Sequence, residues 1–170
     1  MSSTQLGSDA ATQASGAVGV PMRLEVVVVP VADVNRSKAF YEGLGWRLDA
    51  DVSAGDDYHI VQLTPPGSSA SIIFGKGVTT DPPGSIGSML LAVDDMEAAR
   101  DELISHGVDV GEPFHDAGGS AAGGFIADTS RLAPGRDPEG RSYATYARFS
   151  DPDGNGWLLQ EITERLPGRV

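Results

Sequence analysis

The stretch VVVVPVADVNRSKAFYEGLGW, residues 26–46, decides how this chain folds, because it joins a β-branched run to an amphipathic pattern. Asp33 stands between the two, where an N-cap side chain accepts hydrogen bonds from free backbone N–H groups. Gly45 follows the amphipathic part, where a left-handed C-cap favours glycine. The stretch therefore predicts a strand, a helix and the start of a second strand.

A second stretch, SMLLAVDDMEAARDELISHGV at residues 88–108, aligns with the first without a gap. Asp33 aligns with Asp95, and Gly45 aligns with Gly107. Because a strand, an Asp cap, an amphipathic helix and a Gly recur in the same order, the chain contains an internal repeat.

Each unit continues with a pattern of strand, Pro/Gly turn and strand, which indicates a hairpin. The two patterns are QLTPPGSSASIIFG at residues 62–75 and RFSDPDGNGWLLQE at residues 148–161. The second unit is longer, because a segment rich in Gly, Ala and Pro at residues 116–142 precedes its hairpin. Such a segment in a compact domain is usually a functional loop or disordered, and both alternatives stay open here.

The chain of 170 residues is long enough for one compact domain or for two small modules that share a core. Residues 1–22 are small and polar and are expected to form a disordered tail. We expect a first β-α-β-β-β module at 23–78, a linker at 79–84, a second module at 85–164 and a C-terminal tail at 165–170. The expected fold class is α+β, with the exposed faces of the two modules paired or enclosing a cavity.

The formal net charge of −12 and the absence of cysteine exclude several classes of function. The charge argues against nucleic acid or an anionic membrane as a partner and is compatible with a cationic ligand. Without cysteine there is no thiolate nucleophile and no Cys-based metal site. The chain has no apolar run of membrane-spanning length and no basic start of a secretory signal, so we expect a cytoplasmic protein. Arg greatly outnumbers Lys, which is typical of bacterial proteins encoded by GC-rich genomes.

Taken together, the repeated strand–Asp–helix–Gly pattern and the closing DPDGNGW hairpin resemble the vicinal oxygen chelate superfamily. This superfamily includes glyoxalase I, extradiol dioxygenases, fosfomycin-resistance enzymes and bleomycin-resistance proteins. The resemblance spans about Leu24 to Glu164 and implies two modules that form a curved eight-stranded cup around a central pocket. It also allows for a homodimer, which nothing in the sequence itself specifies.

In metal-dependent members of the family, the first and last strands of each module supply the metal ligands, which are His or Gln, Glu, His and Glu. The resemblance implies that the first three of these positions correspond to Val26, Ile73 and Ser88 in this sequence. The fourth corresponds to Leu158 or, after a two-residue shift, to Gln160. None of these side chains is a carboxylate or an imidazole. Glu25 and Glu161 are one residue off, and a one-residue slip turns a strand side chain to the opposite face. The sequence therefore predicts a member without a metal or other cofactor.

Alternation along the strands predicts which side chains line the pocket. The candidate ligand-binding residues are Gln62, Ser88, Tyr146, Arg148, Leu158 and Gln160. Two of them have a structural alternative: Arg148 as an exposed charge at a strand end, and Tyr146 as a core residue with a satisfied hydroxyl.

His115 lies where a strand of the second module runs into the long segment, and an imidazole there could act as acid or base. The alternative is a solvent-exposed histidine without a catalytic role.

Three hypotheses of function follow. The chain binds a small organic molecule in the cup without a metal, or it is a metal-independent lyase or isomerase that uses His115. The third, a metal-dependent glyoxalase or dioxygenase, is disfavoured by the replaced ligands.

Overall fold

The structure, a computed structural model, describes residues 20–120, 123–125 and 128–167. The predicted disordered tail lies mostly outside these residues. The helices are α1 (Val34–Gly43) and α2 (Met96–Ser105). The strands are β1 (Val26–Val28), β2 (Arg47–Ala54), β3 (Tyr58–Thr64), β4 (Ser71–Lys76), β5 (Met89–Val93), β6 (Phe114–Asp116), β7 (Leu132–Pro134), β8 (Thr145–Ser150) and β9 (Gly156–Glu161). These elements confirm the α+β class.

The strands form two sheets that repeat one topology. The first has the order β1-β4-β3-β2, and the second has the order β5-β9-β8-β6-β7. In both, the first strand of the module pairs in parallel with its last strand. The described part of the chain has nine strands, where eight were expected, because part of the segment 116–142 pairs with β6 and adds β7 at the edge.

Both helices begin as the sequence predicts. The Asp33 carboxylate accepts a hydrogen bond from Arg36 N, and the Asp95 carboxylate accepts one from Ala98 N, each at 3.0 Å. Gly107 follows α2 with a φ of 82°, in the left-handed region that favours glycine. Neither helix has the length and apolar character needed to cross a membrane, and no other helix of the described residues does either.

The two modules share one hydrophobic core on the helix side of the sheets. In the first sheet the core face carries Val61, Leu63, Ile72 and Phe74, and in the second it carries Ala147, Phe149, Trp157 and Leu159. Trp157 joins the modules, because its ring lies 5.3 Å from the ring of Trp46 and 6.2 Å from that of Tyr41, measured between centroids. Aromatic pairs of this kind add to the stabilisation from buried area.

The turn Asp151–Asn155 attaches the second module to the first. Asn155 is completely buried; its Nδ2 donates to the Pro30 carbonyl at 2.9 Å, and its Oδ1 accepts from Ile86 N at 3.2 Å. The Tyr41 hydroxyl donates to the Asp151 carboxylate at 2.9 Å. These bonds satisfy polar groups that are otherwise costly to bury, so the turn is a structural joint.

Candidate ligand-binding cup

The face of each sheet opposite the helices is called the cup face here. In the first sheet the register aligns Val28 with Ile73, Ile73 with Gln62, and Gln62 with Ala50. Neighbours in register share a face, so an amide lies among aliphatic side chains. Val26 and Val28 are 37% and 39% exposed. This half of the cup face is therefore open and largely apolar.

The second sheet brings most of the candidate residues onto one face. Leu158 pairs with Leu90 and Arg148, and Gln160 pairs with Tyr146. Ser88 is exposed and directly precedes β5, two residues before Leu90. The alternation inferred from the sequence thus places these five candidates together, with Gln62 on the corresponding face of the first sheet.

The covering turn, defined as the 3-10 turn Gly123–Phe125, lies over part of this second face. A Cβ atom on Gly124 would overlap the Tyr146 ring and would lie 2.9 Å from Leu158 Cδ2. Tyr146 and Leu158 are completely buried. The chain's own insertion therefore fills the place that a ligand would need in order to reach these two side chains.

Polar contacts fix the covered residues as well. The Tyr143 carbonyl accepts from the Tyr146 hydroxyl at 2.7 Å and from Gln160 Nε2 at 2.9 Å. Burial, the largest cause, raises the pKa of the Tyr146 hydroxyl. Tyr143 itself has a φ of 68°, which a tyrosine seldom adopts. Sequence reasoning missed Tyr143, because nothing in a local pattern predicts a positive φ at a tyrosine.

Arg148 lies at the border of the covered area. Its guanidinium lies 4.3 Å from the centroid of the Phe114 ring, and Nη2 donates to the Gly124 carbonyl at 3.3 Å. A cation above an aromatic face is attracted by the ring quadrupole. Arg148 thus contacts both the sheet and the covering turn.

Ion pairs stabilise the segment that carries the covering turn. Arg131 Nη2 lies 2.9 Å from the buried Asp116 carboxylate, and Arg141 contacts the buried Asp137 carboxylate. Hydrogen bonds from Arg141 lower the pKa of Asp137 to about 2, from an ordinary value of 3.8. Asp137 is therefore ionised in the folded protein at neutral pH.

Asp137→Asn is expected to make the free energy of unfolding less dependent on pH in the acidic range. A carboxyl whose pKa is lowered by folding stabilises the fold above its unfolded value and loses this contribution as the pH falls through the folded value. The variant should be less stable than the wild type at pH 7, and the difference should shrink between pH 3.8 and about 2. Urea unfolding at a series of pH values measures this. A difference that stays constant down to the lowest pH would contradict the expectation.

Two residues of chemical interest face away from the cup. His115 pairs with Thr145, so it lies on the sheet face opposite Tyr146, and its Nδ1 is 2.9 Å from the Gly135 carbonyl. The structure does not bring it together with the other candidates. Glu161 is buried, and its Oε1 accepts from Met96 N at 3.0 Å and contacts Arg136 at 2.7 Å. It therefore caps α2.

The side chains at the family's metal positions do not fit a divalent ion. Val26, Ile73 and Leu158 have no donor atom, and Ser88 and Gln160 offer only a hydroxyl and an amide. Such ions need three or four converging His, Asp or Glu donors. In residues 20–120, 123–125 and 128–167, no group of three or more such side chains could hold a metal.

An apolar cavity of about 250 Å³, called the seam cavity, lies between the two sheets. It is lined on the first module by Val27 and Ile72, among others, and on the second by Met89, Leu90 and Leu91. Leu90 also belongs to the cup face, where it is 38% exposed. A separate surface cavity of about 640 Å³ borders Ser88 and Arg148 beside the turn Asp151–Asn155.

The sequence profile of the Glyoxalase/Bleomycin resistance protein/Dioxygenase superfamily matches residues 23–159. Among solved structures, TnmS3, an antibiotic binding protein from Streptomyces sp. CB03234, is 30% identical with a TM-score of 0.60, over 85% of this chain and 98% of that one. A glyoxalase/bleomycin resistance protein from the same organism is 30% identical with a TM-score of 0.57, over 82% and 100%. The search of curated proteins gave no match.

A more distant structure, the bleomycin resistance determinant encoded on the transposon Tn5, shares the fold at 20% identity and a TM-score of 0.54, over 84% of this chain and 100% of that one. The profile match covers both repeated units and the DPDGNGW hairpin from which the resemblance was inferred. The chain therefore belongs to the glyoxalase/bleomycin resistance protein/dioxygenase superfamily.

Proposed function

We propose that this protein binds a small organic molecule on its cup face, and that it does so without a metal ion. The observation that carries the proposal is the chemistry of the open half of that face. Val26, Val28 and Ile73 offer aliphatic surface, and Gln62 offers one amide that can donate and accept. An apolar lining with a few polar groups is typical of small-molecule sites.

The relatives support a ligand of the antibiotic class. TnmS3 is described as an antibiotic binding protein, and the second relative as a glyoxalase/bleomycin resistance protein. The net charge of −12 favours a cationic molecule, since a negative field attracts cations during encounter. It also disfavours nucleic acid and anionic membranes as partners. Cytoplasmic location, bacterial origin and a homodimer stay predictions.

The ligand would extend from the seam cavity onto the open cup face. A volume of about 250 Å³ is below the usual range of roughly 300–1,000 Å³ for ligand pockets. A molecule of antibiotic size would therefore also cover the surface around Gln62. Leu90 borders the seam cavity and lies on the cup face of the second sheet, so the ligand would contact it.

The metal-independent enzyme remains a hypothesis without a specific observation in its favour. His115, the proposed acid or base, faces away from Tyr146 and Gln160, so a substrate on the cup face would not contact it. The third hypothesis, a metal-dependent glyoxalase or dioxygenase, requires His, Asp or Glu ligands, and the family's metal positions in this chain do not carry them.

Leu90→Trp is expected to block binding, because an indole at this position would fill the junction of the seam cavity and the cup face. The probe is bleomycin, titrated by calorimetry into the wild type and the variant, with at least a tenfold loss of affinity expected. Ile104→Trp is the control, since Ile104 is an exposed aliphatic residue on α2, away from the cup face. Equal loss in both variants, or in neither, would contradict the proposed location.

A further inference from the structure

Strand β2 contains a bulge that turns a carboxylate toward the cup. Leu48 pairs with Leu63 and Ala50 pairs with Gln62, so Asp49 is an extra residue in the register. Bulges re-aim side chains and are enriched beside functional sites. Asp49 contacts Thr64 and Ser71, which share the cup face with Gln62 and Ile73 by strand alternation.

The Asp49 carboxylate is held by neutral donors on one side. Its Oδ2 accepts from the Thr64 hydroxyl, and the Ser71 hydroxyl lies 3.4 Å away. The two hydroxyls are 2.7 Å apart, and both residues are buried. Ser71 pairs with Val26 in the register, so this cluster lies at one end of the open cup face.

The cationic partner of Asp49 is exposed. Arg47 Nε lies 2.6 Å from Asp49 Oδ1, but the Arg47 side chain is 72% exposed, against 20% for Asp49. Exposed ion pairs contribute little to stability, because water screens them and the long side chain loses rotamer freedom. The hydrogen bonds from Arg47 and Thr64 keep the pKa of the Asp49 carboxyl below its usual value, so the group is charged at neutral pH.

We infer that Asp49 is a specificity residue, which selects ligands that carry an amine, amidine or guanidine group. The cation would bind the carboxylate in place of, or beside, the exposed Arg47 guanidinium, and the rest of the ligand would lie over Val26 and Gln62. Hydroxyls fix the Asp49 carboxylate, so only the exposed Arg47 side chain has to move when a cation binds, and charge-assisted hydrogen bonds are the stronger class. This inference rests on the proposed function and adds the chemical class of the ligand.

Two planar probes of nearly equal shape test the inference: benzamidinium, which is cationic, and benzamide, which is neutral. Their affinities are measured by NMR titration of the wild type and of two variants. Asp49→Asn should weaken benzamidinium about tenfold and leave benzamide unchanged. Arg47→Gln should strengthen benzamidinium several-fold, because the competing cation is gone.

Asp57→Asn is the matched control, since Asp57 is a fully exposed carboxylate in the turn between β2 and β3. It removes the same charge from the protein without touching the cup face, so it should change neither affinity. Retained dispersion of the NMR spectrum shows that the variants are folded, and Arg47→Gln tests the inference even if Asp49→Asn does not fold.

The inference is overturned if wild type does not bind benzamidinium, or if it binds both probes equally. It is also overturned if Asp57→Asn weakens benzamidinium as much as Asp49→Asn does, because the effect would then be one of net charge. The proposed function has its own test in bleomycin binding and its loss in Leu90→Trp. If those results hold while the Asp49 result fails, only the inference on ligand class falls.

Discussion

Replacement of Asn155 by alanine is expected to lower the free energy of unfolding by about 2–4 kcal/mol. The side chain is completely buried and bonds the Pro30 carbonyl, Ile86 N and the Asp151 carboxylate. Alanine leaves these groups without that partner and without access to water, which costs more than a hydrogen bond normally contributes. Because the bond to the Pro30 carbonyl crosses to the first module, its loss weakens the joint between the modules.

Chemical denaturation measures this effect, with Asn35→Ala as the control. Asn35 is an exposed residue of α1, so its replacement should change the unfolding free energy by less than about 0.5 kcal/mol. An Asn155→Ala protein as stable as the control would show that the turn Asp151–Asn155 is not a structural joint.

Gly124→Val is expected to detach the covering turn from the second sheet. A side chain at this position would overlap the Tyr146 ring and press on Leu158. Overpacking costs about 1–3 kcal/mol, and a surface turn can relieve it by leaving the sheet. The segment 116–142 should then open far more often. Tyr146, Leu158 and Gln160 would become accessible on an enlarged cup face.

Limited trypsin digestion detects the opening, because Arg131 and Arg136 lie in the same segment and cleavage follows the population of open states. Cleavage at these residues should become at least about tenfold faster. Ala117→Val, at an exposed position before the turn, is the control. Unchanged cleavage in Gly124→Val would mean that the covering turn does not pack on Tyr146.

The fold was predictable because its signals are local. Asp33 and Asp95 cap helices through bonds to residues three positions later. The repeat then predicted the same succession of elements, β-α-β-β-β, in both modules, since similar patterns fold in a similar way. The sheet faces on which Gln62 and Gln160 lie were predictable for the same reason. Side chains alternate between the two faces of a sheet along every strand, which is a property of the backbone.

The candidate site was less predictable, because it depends on contacts between distant residues. Tyr146 and Leu158 are covered because Gly124 packs on them. The sequence around Gly124 does not predict this contact. The bulge at Asp49 appears only once β2 is paired with β3, because a change of register has no fixed local signature. His115 faces away from Tyr146 because the register of β6 sets the direction of its side chain.

The central claim, that this protein binds a small organic molecule without a metal ion, is tested most directly by a calorimetric titration of bleomycin. The protein is dialysed against EDTA beforehand, and EDTA is kept in both solutions. We predict saturable binding to one site per chain, with the affinity that the untreated protein shows. Absence of saturable binding, or binding that is lost in EDTA, would contradict the claim.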